Sequence, residues 1–382
     1  MRREYAMLKK YITRLMLSVV IIIGNAQASE ITGAVIANAL VTNQGATRDV
    51  VVNNIKNVYL MQVDLTEKEK KAIINFKPSV TQHTLKQQTS LPPLADLGMN
   101  GVPVLDQGHH GTNSTFATTA AVDALLGKGD YISQLCNLEL GNYLEYDGYF
   151  SSGWHGSWCA DVLAQMIGHG IINKQTQIEK SCAGVTVYPI RDRDNTGKRT
   201  PLNDFHPLSE RMDTNFYWEP ILSIATRVND DIDHGYDPDK VLIEVKKALA
   251  LHKVRLTFSV ILPIDYCSAG ACGRYHRLND TWVLTHRIQN DPDPKLGGHA
   301  MVITGYDDEA IAIDDEDVSH TGLLTLRSSW GANVGDNGNY YMTYDFFKKY
   351  AIEIQKIVPG SGGQAAGSRR IEPLTKFIRD TF

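Results

Sequence analysis

The sequence has no Cys-x-x-Cys pair, although it contains five cysteines in 382 residues. Structural zinc sites usually draw two ligands from such a pair, so the cysteines favour disulfides over a metal. Cys267 and Cys272 enclose the short loop Ser-Ala-Gly-Ala and are the predicted disulfide pair. Cys136, Cys159 and Cys182 stay unassigned, and the odd total requires one of these three to be free or paired elsewhere.

An excess of positive charge is also missing. The formal net charge is −5 at pH 7, and nucleic-acid binding generally needs a basic surface, so nucleic acid is not a predicted partner. Residues 1–28 carry a net charge of +4, so their removal changes −5 to −9. The acidic runs at 307–309 and 314–317 complete no calcium-loop pattern, and we predict solvated loops there.

The sequence also lacks a run of apolar residues long enough to cross a bilayer comfortably. The run Leu15–Gly24 follows a basic stretch and precedes the small-residue site Ala26-Gln27-Ala28, an order typical of a secretory signal peptide. An uncleaved anchor helix is the alternative. We therefore predict a signal peptide over 1–28, no membrane partner after its cleavage, and a secreted protein, or a periplasmic one if the host is Gram-negative.

Residues 29–90 form a predicted extension ahead of the main domain. The stretches 31–41 and 50–64 are rich in Val, Ile and Leu and are separated by a Gln-Gly break, which predicts two strands of a hairpin. A Thr-x-x-Glu capping box at 66–69 then opens a short helix. The extension is too apolar for a solvated arm, so we expect it to dock on the main domain.

Helices are predicted first and strands second in the rest of the chain. Helix-spaced apolar residues occur at 116–126, 160–168 and 239–251. The alternation from Val254 to Val260 is that of a strand with one buried face. This order predicts an α+β fold. Residues 358–382 begin with a glycine-rich tract and are a predicted linker and tail.

Three stretches carry the candidate chemistry. Gln107–Ala117 (Gln-Gly-His-His-Gly-Thr-Asn-Ser-Thr-Phe-Ala) is a glycine-punctuated turn feeding a helix start, where unpaired backbone N–H groups converge. Gly297–Tyr306 places Gly-His-Ala ahead of a Val-Ile-Thr-Gly-Tyr strand, and Leu326–Gly331 reads Leu-Arg-Ser-Ser-Trp-Gly. In their order, spacing and surrounding apolar residues, the three stretches resemble the papain-like cysteine peptidases.

The resemblance implies a two-lobed papain-like domain over 91–357. Its helical lobe would cover about 91–200 and its antiparallel β lobe about 201–357, with a cleft between them. In the resembling enzymes the region before this domain is an inhibitory propeptide. The extension at 29–90 is short and lacks the long helical pattern of such propeptides, so whether it covers the cleft stays open.

The resemblance also assigns roles to individual residues. Gln107 matches the side-chain amide that binds the oxyanion, His299 matches the imidazole base, and Trp330 matches the indole that shields the base. Ser328 stands where the family has the Asn that orients the imidazole. Because a hydroxyl is shorter than a carboxamide, we expect Ser328 to reach the ring through a water.

Asn113 breaks the resemblance, because it stands where the family has its nucleophilic Cys, six residues after the glutamine. A carboxamide forms no thiolate and is a poor nucleophile. Asn is instead among the preferred helix N-caps, which gives the residue a structural interpretation. The family's disulfide positions correspond to His110 and Trp154, so both of those cysteines are absent. Gly156 matches the glycine-rich edge that binds extended substrate backbone in the family, and Ser157 stands in place of a second glycine of that edge.

We therefore predict a catalytically inactive pseudopeptidase that binds a polypeptide ligand or partner protein in its cleft, with no cofactor and no metal. An active hydrolase would need a hydroxyl nucleophile from Thr112, Ser114 or Thr115. One residue along a helix rotates the side chain by about 100°, which turns these hydroxyls away from the base. A scaffold that binds its partner through the extension or through the polar excursion at 267–295 is a further alternative.

A metal site is the last alternative. Histidines from neighbouring loops could approach one another, but no carboxylate or ligand spacing supports a site. The histidines concerned are His109, His110, His155 and His299.

Overall fold

The computed structural model describes residues 29–42, 55–78, 91–148, 153–191, 197–228 and 236–360. The predicted signal peptide at 1–28 and the predicted tail from residue 361 onward lie outside the described residues. Within the described ranges, no helix is long and apolar enough to pass through a membrane.

The α-helices of the described chain vary from four to fourteen residues in length. They are α1 (Glu67–Ile74), α2 (Asn113–Leu126), α3 (Gln134–Tyr146), α4 (Cys159–His169), α5 (Lys174–Lys180), α6 (Leu202–Phe205), α7 (Ile224–Val228), α8 (Pro238–Ala250), α9 (His286–Asn290) and α10 (Tyr344–Tyr350). A short 3₁₀ helix, His206–Leu208, follows α6.

The strands of the described residues form one sheet. They are β1 (Glu30–Leu40), β2 (Ile55–Asp64), β3 (Leu94–Asp96), β4 (Phe216–Leu222), β5 (Leu256–Pro263), β6 (Gly273–Arg274), β7 (Thr281–Trp282), β8 (Leu296–Asp314), β9 (Ser319–Arg327), β10 (Asn339–Thr343) and β11 (Ala351–Pro359). The main path runs β4-β11-β5-β8-β6-β7-β10-β9, and β2 and β3 both join it through β8. All pairings are antiparallel except the short β7–β10 pair.

Helices α2 to α5 precede the main strands in the chain, so the predicted α+β class is confirmed. One hydrophobic core lies in the sheet half, and it includes the large buried side chains of Trp282, Tyr340 and Phe346. The helical half has a core of its own along α2 and α4. Helix α2 also packs against β8, and this contact brings the predicted site stretches together.

The chain before residue 91 packs on the sheet half. β1 and β2 pair antiparallel, and Val58 and Leu60 of β2 are buried in the sheet-side core. The predicted capping box is present, because the Thr66 hydroxyl accepts from the Glu69 N–H while the Glu69 carboxylate accepts from the Thr66 N–H.

Two disulfides link cysteines of the described chain. Cys267–Cys272 is the predicted pair, and its presence confirms that prediction. Cys136–Cys182 joins the first turn of α3 to the segment after α5, which leaves Cys159 as a buried free thiol.

The acidic run at 307–309 is not the solvated loop that the sequence predicts. It lies inside β8, and the Asp308 carboxylate accepts from the Lys246 ammonium at 2.7 Å and from the Tyr344 hydroxyl. Because the ion pair and the hydroxyl satisfy the carboxylate, an acidic residue is tolerated within a strand.

Candidate active-site cleft

The start of helix α2 positions Asn113. Thr112 is the N-cap residue and makes no side-chain cap hydrogen bond, and Asn113 is the first residue of the helix. The Asn113 Oδ1 accepts from the backbone N–H of Ala300 at 3.1 Å. The interpretation of Asn113 as an N-cap is therefore wrong. Its carbonyl is used to satisfy a buried N–H of β8, which would otherwise be unpaired.

His299 lies on β8 directly before Ala300 and is fully buried. Its Nε2 is 3.1 Å from the Ser328 hydroxyl oxygen, which is direct hydrogen-bonding distance. The predicted bridging water is therefore wrong, because β9 pairs closely with β8 and brings Ser328 within reach of the ring. The Trp330 indole stacks on the imidazole at a centroid distance of 4.2 Å and an interplanar angle of 17°.

Burial lowers the pKa of His299 to about 3, so the imidazole is neutral at pH 7. Its Nδ1 and the Nδ2 of Asn113 have no hydrogen-bond partner among the described residues. A carboxamide forms no thiolate, and an imidazole that is neutral at pH 7 supplies no imidazolium.

The Gln107 side chain is fully buried and all of its polar atoms are engaged. Its Nε2 donates to the backbone carbonyl of Tyr59 at 2.9 Å and to that of His110 at 2.7 Å. Its Oε1 accepts from the Ser329 hydroxyl at 2.7 Å. The amide that the resemblance assigns to the oxyanion thus binds a main-chain carbonyl of β2.

Strand β2 crosses the cleft over the predicted site. At its start, the Lys56 ammonium donates to the Trp330 carbonyl at 2.7 Å and to the Asp106 carboxylate at 2.8 Å. Further along, Met61 pairs with Gly298, the residue before His299. Strand β2 therefore contacts the residues of the predicted site at several points between Lys56 and Met61.

Met61 fills the space next to the predicted backbone-binding edge. A Cβ added to Gly156 would lie 2.7 Å from the Met61 Cγ, and Gly156 has a φ of +106°. Only glycine fits there, because a side chain would clash and the backbone lies in the left-handed region. The neighbouring Ser157 carbonyl accepts from the Ser114 hydroxyl, which also lies 3.4 Å from the Met61 sulfur.

The alternative hydroxyl nucleophiles do not face His299. The Ser114 hydroxyl binds the Ser157 carbonyl, and the Thr112 hydroxyl is 3.1 Å from the Tyr188 hydroxyl. Thr115 is buried in the first turn of α2. Among the described residues, the His299 imidazole therefore has no hydroxyl partner except Ser328.

The two positions that the resemblance pairs as a disulfide are in contact. The rings of His110 and Trp154 pack edge to face with centroids 5.1 Å apart, and His110 Nε2 lies 2.6 Å from the Pro189 carbonyl oxygen. An aromatic contact thus joins the two loops. His109 stacks instead on Tyr59 of β2, at 5.1 Å.

Among the described residues, the four candidate histidines do not form a three-ligand group. The group of ligand atoms that does lie within 4.8 Å consists of Cys267, Cys272 and Asp315. Because those two cysteines are disulfide-bonded, they offer no thiolate to a metal.

The residues of β2 that contact the predicted site were not among those predicted from the sequence; they are Lys56, Tyr59 and Met61. The apolar pattern of this stretch indicated a strand with a buried face, but no motif relates it to the cleft. The pairing of Met61 with Gly298 depends on residues separated by more than two hundred positions, which local sequence patterns do not encode.

Comparisons with known proteins bear on the fold. A scan against protein-family models and a search of curated proteins found no match. Among solved structures, the chain is similar to xylellain, a cysteine protease from Xylella fastidiosa, with 19% identity, 74% of this chain and 91% of that chain covered, and a TM-score of 0.42.

Two further solved structures are similar to the chain, with comparable sequence identities and TM-scores. The bromelain protease from Ananas comosus has 15% identity, with 71% of this chain and 99% of that chain covered and a TM-score of 0.41. A digestive procathepsin L 3 from the larval midgut of Tenebrio molitor has 15% identity, 77% and 78% coverage, and a TM-score of 0.42.

Proposed function

We propose that this chain is a non-catalytic polypeptide-binding protein, a pseudopeptidase whose cleft holds an extended strand and does not cut it. The main support for the proposal is one hydrogen bond. The Gln107 amide donates to the main-chain carbonyl of Tyr59 in the cleft where Asn113 stands in place of a nucleophile.

The absence of catalysis follows from the chemistry of two side chains. Asn113 cannot be deprotonated to a nucleophile, and its carbonyl oxygen is already bound to the Ala300 N–H. His299 is a weak base because burial lowers its pKa to about 3. Removing a single triad nucleophile in comparable systems lowers turnover by about a million-fold, so activity at background level is expected.

The proposed class of ligand, an extended polypeptide, follows from the groups of β2 that the residues of the cleft contact. Gln107 and Gly298 meet main-chain groups of β2, which any extended polypeptide presents. Gly156 leaves room for one unbranched apolar side chain, which is Met61 in this chain. A partner polypeptide would use the same groups, so it has to displace β2.

An exported location fits this function. The predicted signal peptide over 1–28 and the two disulfides agree with an oxidising compartment. We propose that the chain acts outside the cytoplasm, as a secreted or periplasmic protein, on a polypeptide ligand or partner protein.

A first experiment separates binding from catalysis. The exported chain is incubated with a library of fluorogenic peptides, and no turnover above buffer is expected. Turnover that disappears with Ser114→Ala or Thr112→Val would show a hydroxyl nucleophile and overturn the proposal.

A second experiment measures binding. A fluorescent peptide with the sequence of residues 55–64 is titrated into the unmodified chain, into Met61→Ala, which weakens the hold of β2, and into Met166→Ala. Met166 is equally buried but lies in α4, so it controls for lost stability. We expect binding by Met61→Ala alone, and no binding of a scrambled peptide. Equal binding by Met166→Ala, or none by Met61→Ala, would contradict a polypeptide-binding cleft.

A further inference from the structure

The outer edge of β1 has main-chain groups that point away from the molecule. β1 pairs with β2 on one side, and no described strand pairs with its other side. At its end, the Leu40 N–H donates to the Ser268 hydroxyl at 2.8 Å and the Thr42 N–H donates to the Asn333 carbonyl at 2.8 Å. Both donors therefore point away from β2.

The register then fixes the directions along the strand. Ile36 is the Cα partner of Tyr59, whose carbonyl points away from β1 to Gln107. Ile36 and Tyr59 are thus a non-hydrogen-bonded pair, and so is every second pair along the ladder. Consequently Ala34, Ile36 and Asn38 direct both their N–H and C=O groups to the outer edge.

These three residues are accessible. All are exposed, and Ile36 is 47% exposed to solvent. None of the described residues forms a hydrogen bond with their outward main-chain groups. The residues from 31 to 40 include no Lys, Arg, Asp, Glu or Pro, which are the residues that usually protect an exposed edge from pairing.

We infer that β1 is a self-association edge, on which β1 of a second copy pairs antiparallel across a twofold axis at Ile36. Ile36 then lies opposite the partner's Ile36, and Ala34 lies opposite the partner's Asn38. Each directly opposed pair exchanges two main-chain hydrogen bonds, which gives about six in total. The sheet becomes continuous from one copy to the other through β2 and β8.

A second copy fits this edge because the strand complements itself. The part of β1 whose outward main-chain groups are unbonded ends on one side at Leu40, whose outward N–H donates to the Ser268 hydroxyl. It ends on the other side at the register irregularity between Ile31 and Gly33. An axis at Ile36 places Leu40 opposite the partner's Thr32. The end of each strand at which Ser268 binds the outward N–H therefore lies opposite the end at which the partner's register is irregular. The unbonded parts of the two strands then coincide, and no like charges face each other.

The proposal is independent of what the cleft binds, and sedimentation velocity of the exported chain over a range of concentrations tests it. We expect a reversible dimer. Ile36→Lys places two lysines directly opposite each other and should raise the dimer Kd by about tenfold or more at low salt, with partial recovery at high salt. Ile55→Lys is the matched control, because Ile55 is 64% exposed but lies on β2, and it should leave the Kd unchanged.

A charge-pair design tests the register. Ala34→Glu with Asn38→Lys in one chain places each Glu opposite the partner's Lys, and the dimer should tighten. Ala34→Lys with Asn38→Lys should weaken it. Circular dichroism and thermal melts check that every variant is folded, and Ile36→Pro, which removes the outward donor without touching a bond to β2, serves as a second edge variant.

Three results would overturn the inference. They are a monomer at every concentration, equal effects of Ile36→Lys and Ile55→Lys, and a dimer that is weakened by the Glu–Lys pair.

Discussion

Replacing Asn113 with Cys tests both the chemistry of the candidate site and the way β2 shields that site from solvent. The residue is fully buried, the next residue Ser114 contacts Met61 of β2, and burial lowers the pKa of His299 to about 3. A thiol at this position would stay protonated, because neither a thiolate nor an imidazolium is solvated there. We therefore expect Asn113→Cys to react with iodoacetamide much more slowly than an exposed thiol.

A second substitution, Met61→Ala, should restore reactivity by opening β2. Met61 is fully buried and contacts Gly156 and Ser114. Truncating a buried Met to Ala lowers stability by about 2–5 kcal/mol. If the free energy needed to open β2 locally falls by about 2 kcal/mol of this amount, the population of molecules with β2 open rises about 30-fold, because 1.4 kcal/mol is a factor of ten. The labelling rate should rise by the same factor while reclosing is fast.

The assay is the mass-resolved labelling rate at residue 113. The unmodified chain reports the background from the buried thiol of Cys159, and Asn113→Cys with Met166→Ala reports the effect of lost global stability. Adding His299→Ala to the opened variant should slow labelling, because the thiolate loses its imidazole partner. Labelling of Asn113→Cys alone at the rate of an exposed thiol would refute the reasoning, as would equal acceleration by Met166→Ala.

Three further predictions concern the rest of the fold. Burial raises the pKa of Glu139 to about 8, so the unfolded chain ionises first and stability falls by a few kcal/mol as pH rises from about 4.5 to about 8; Glu139→Gln should make the fall of the urea-unfolding free energy over that range smaller. Gln107→Leu leaves two buried carbonyls without their donor, so the free energy of unfolding should fall by about 2–4 kcal/mol and amide exchange in β2 should accelerate; unchanged exchange would contradict the role given to this amide. Mild reductant should open Cys267–Cys272, whose first cysteine is exposed, before the buried Cys136–Cys182; peptide mapping with differential alkylation reads the order, and the reverse order would contradict it.

Local chemistry accounts for the parts of the fold that the sequence predicted. The capping box of α1 forms between residues three apart, and the Cys267–Cys272 pair closes a loop of four residues. Both depend on neighbours in the chain, so their patterns are visible in the sequence. The N-cap interpretation of Asn113 failed for the opposite reason. Its acceptor serves the Ala300 N–H, nearly two hundred residues away, and local capping preference says nothing of that partner.

The sequence by itself determined the chemistry of the side chain at position 113. A carboxamide at position 113 has no ionisable proton, and this holds in any fold that the chain adopts. It also determined the order of helices and strands, because apolar periodicity is a local property of the chain.

Only the tertiary structure decided what lies over the site. The pairing of Met61 with Gly298 and the bond from Gln107 to the Tyr59 carbonyl place β2 in the cleft. That position arises because β1 and β2 bury one face in the sheet-side core, so the strand is held by long-range packing and not by its own sequence. The same packing removes His299 from water and lowers its pKa, a property that the histidine does not carry alone.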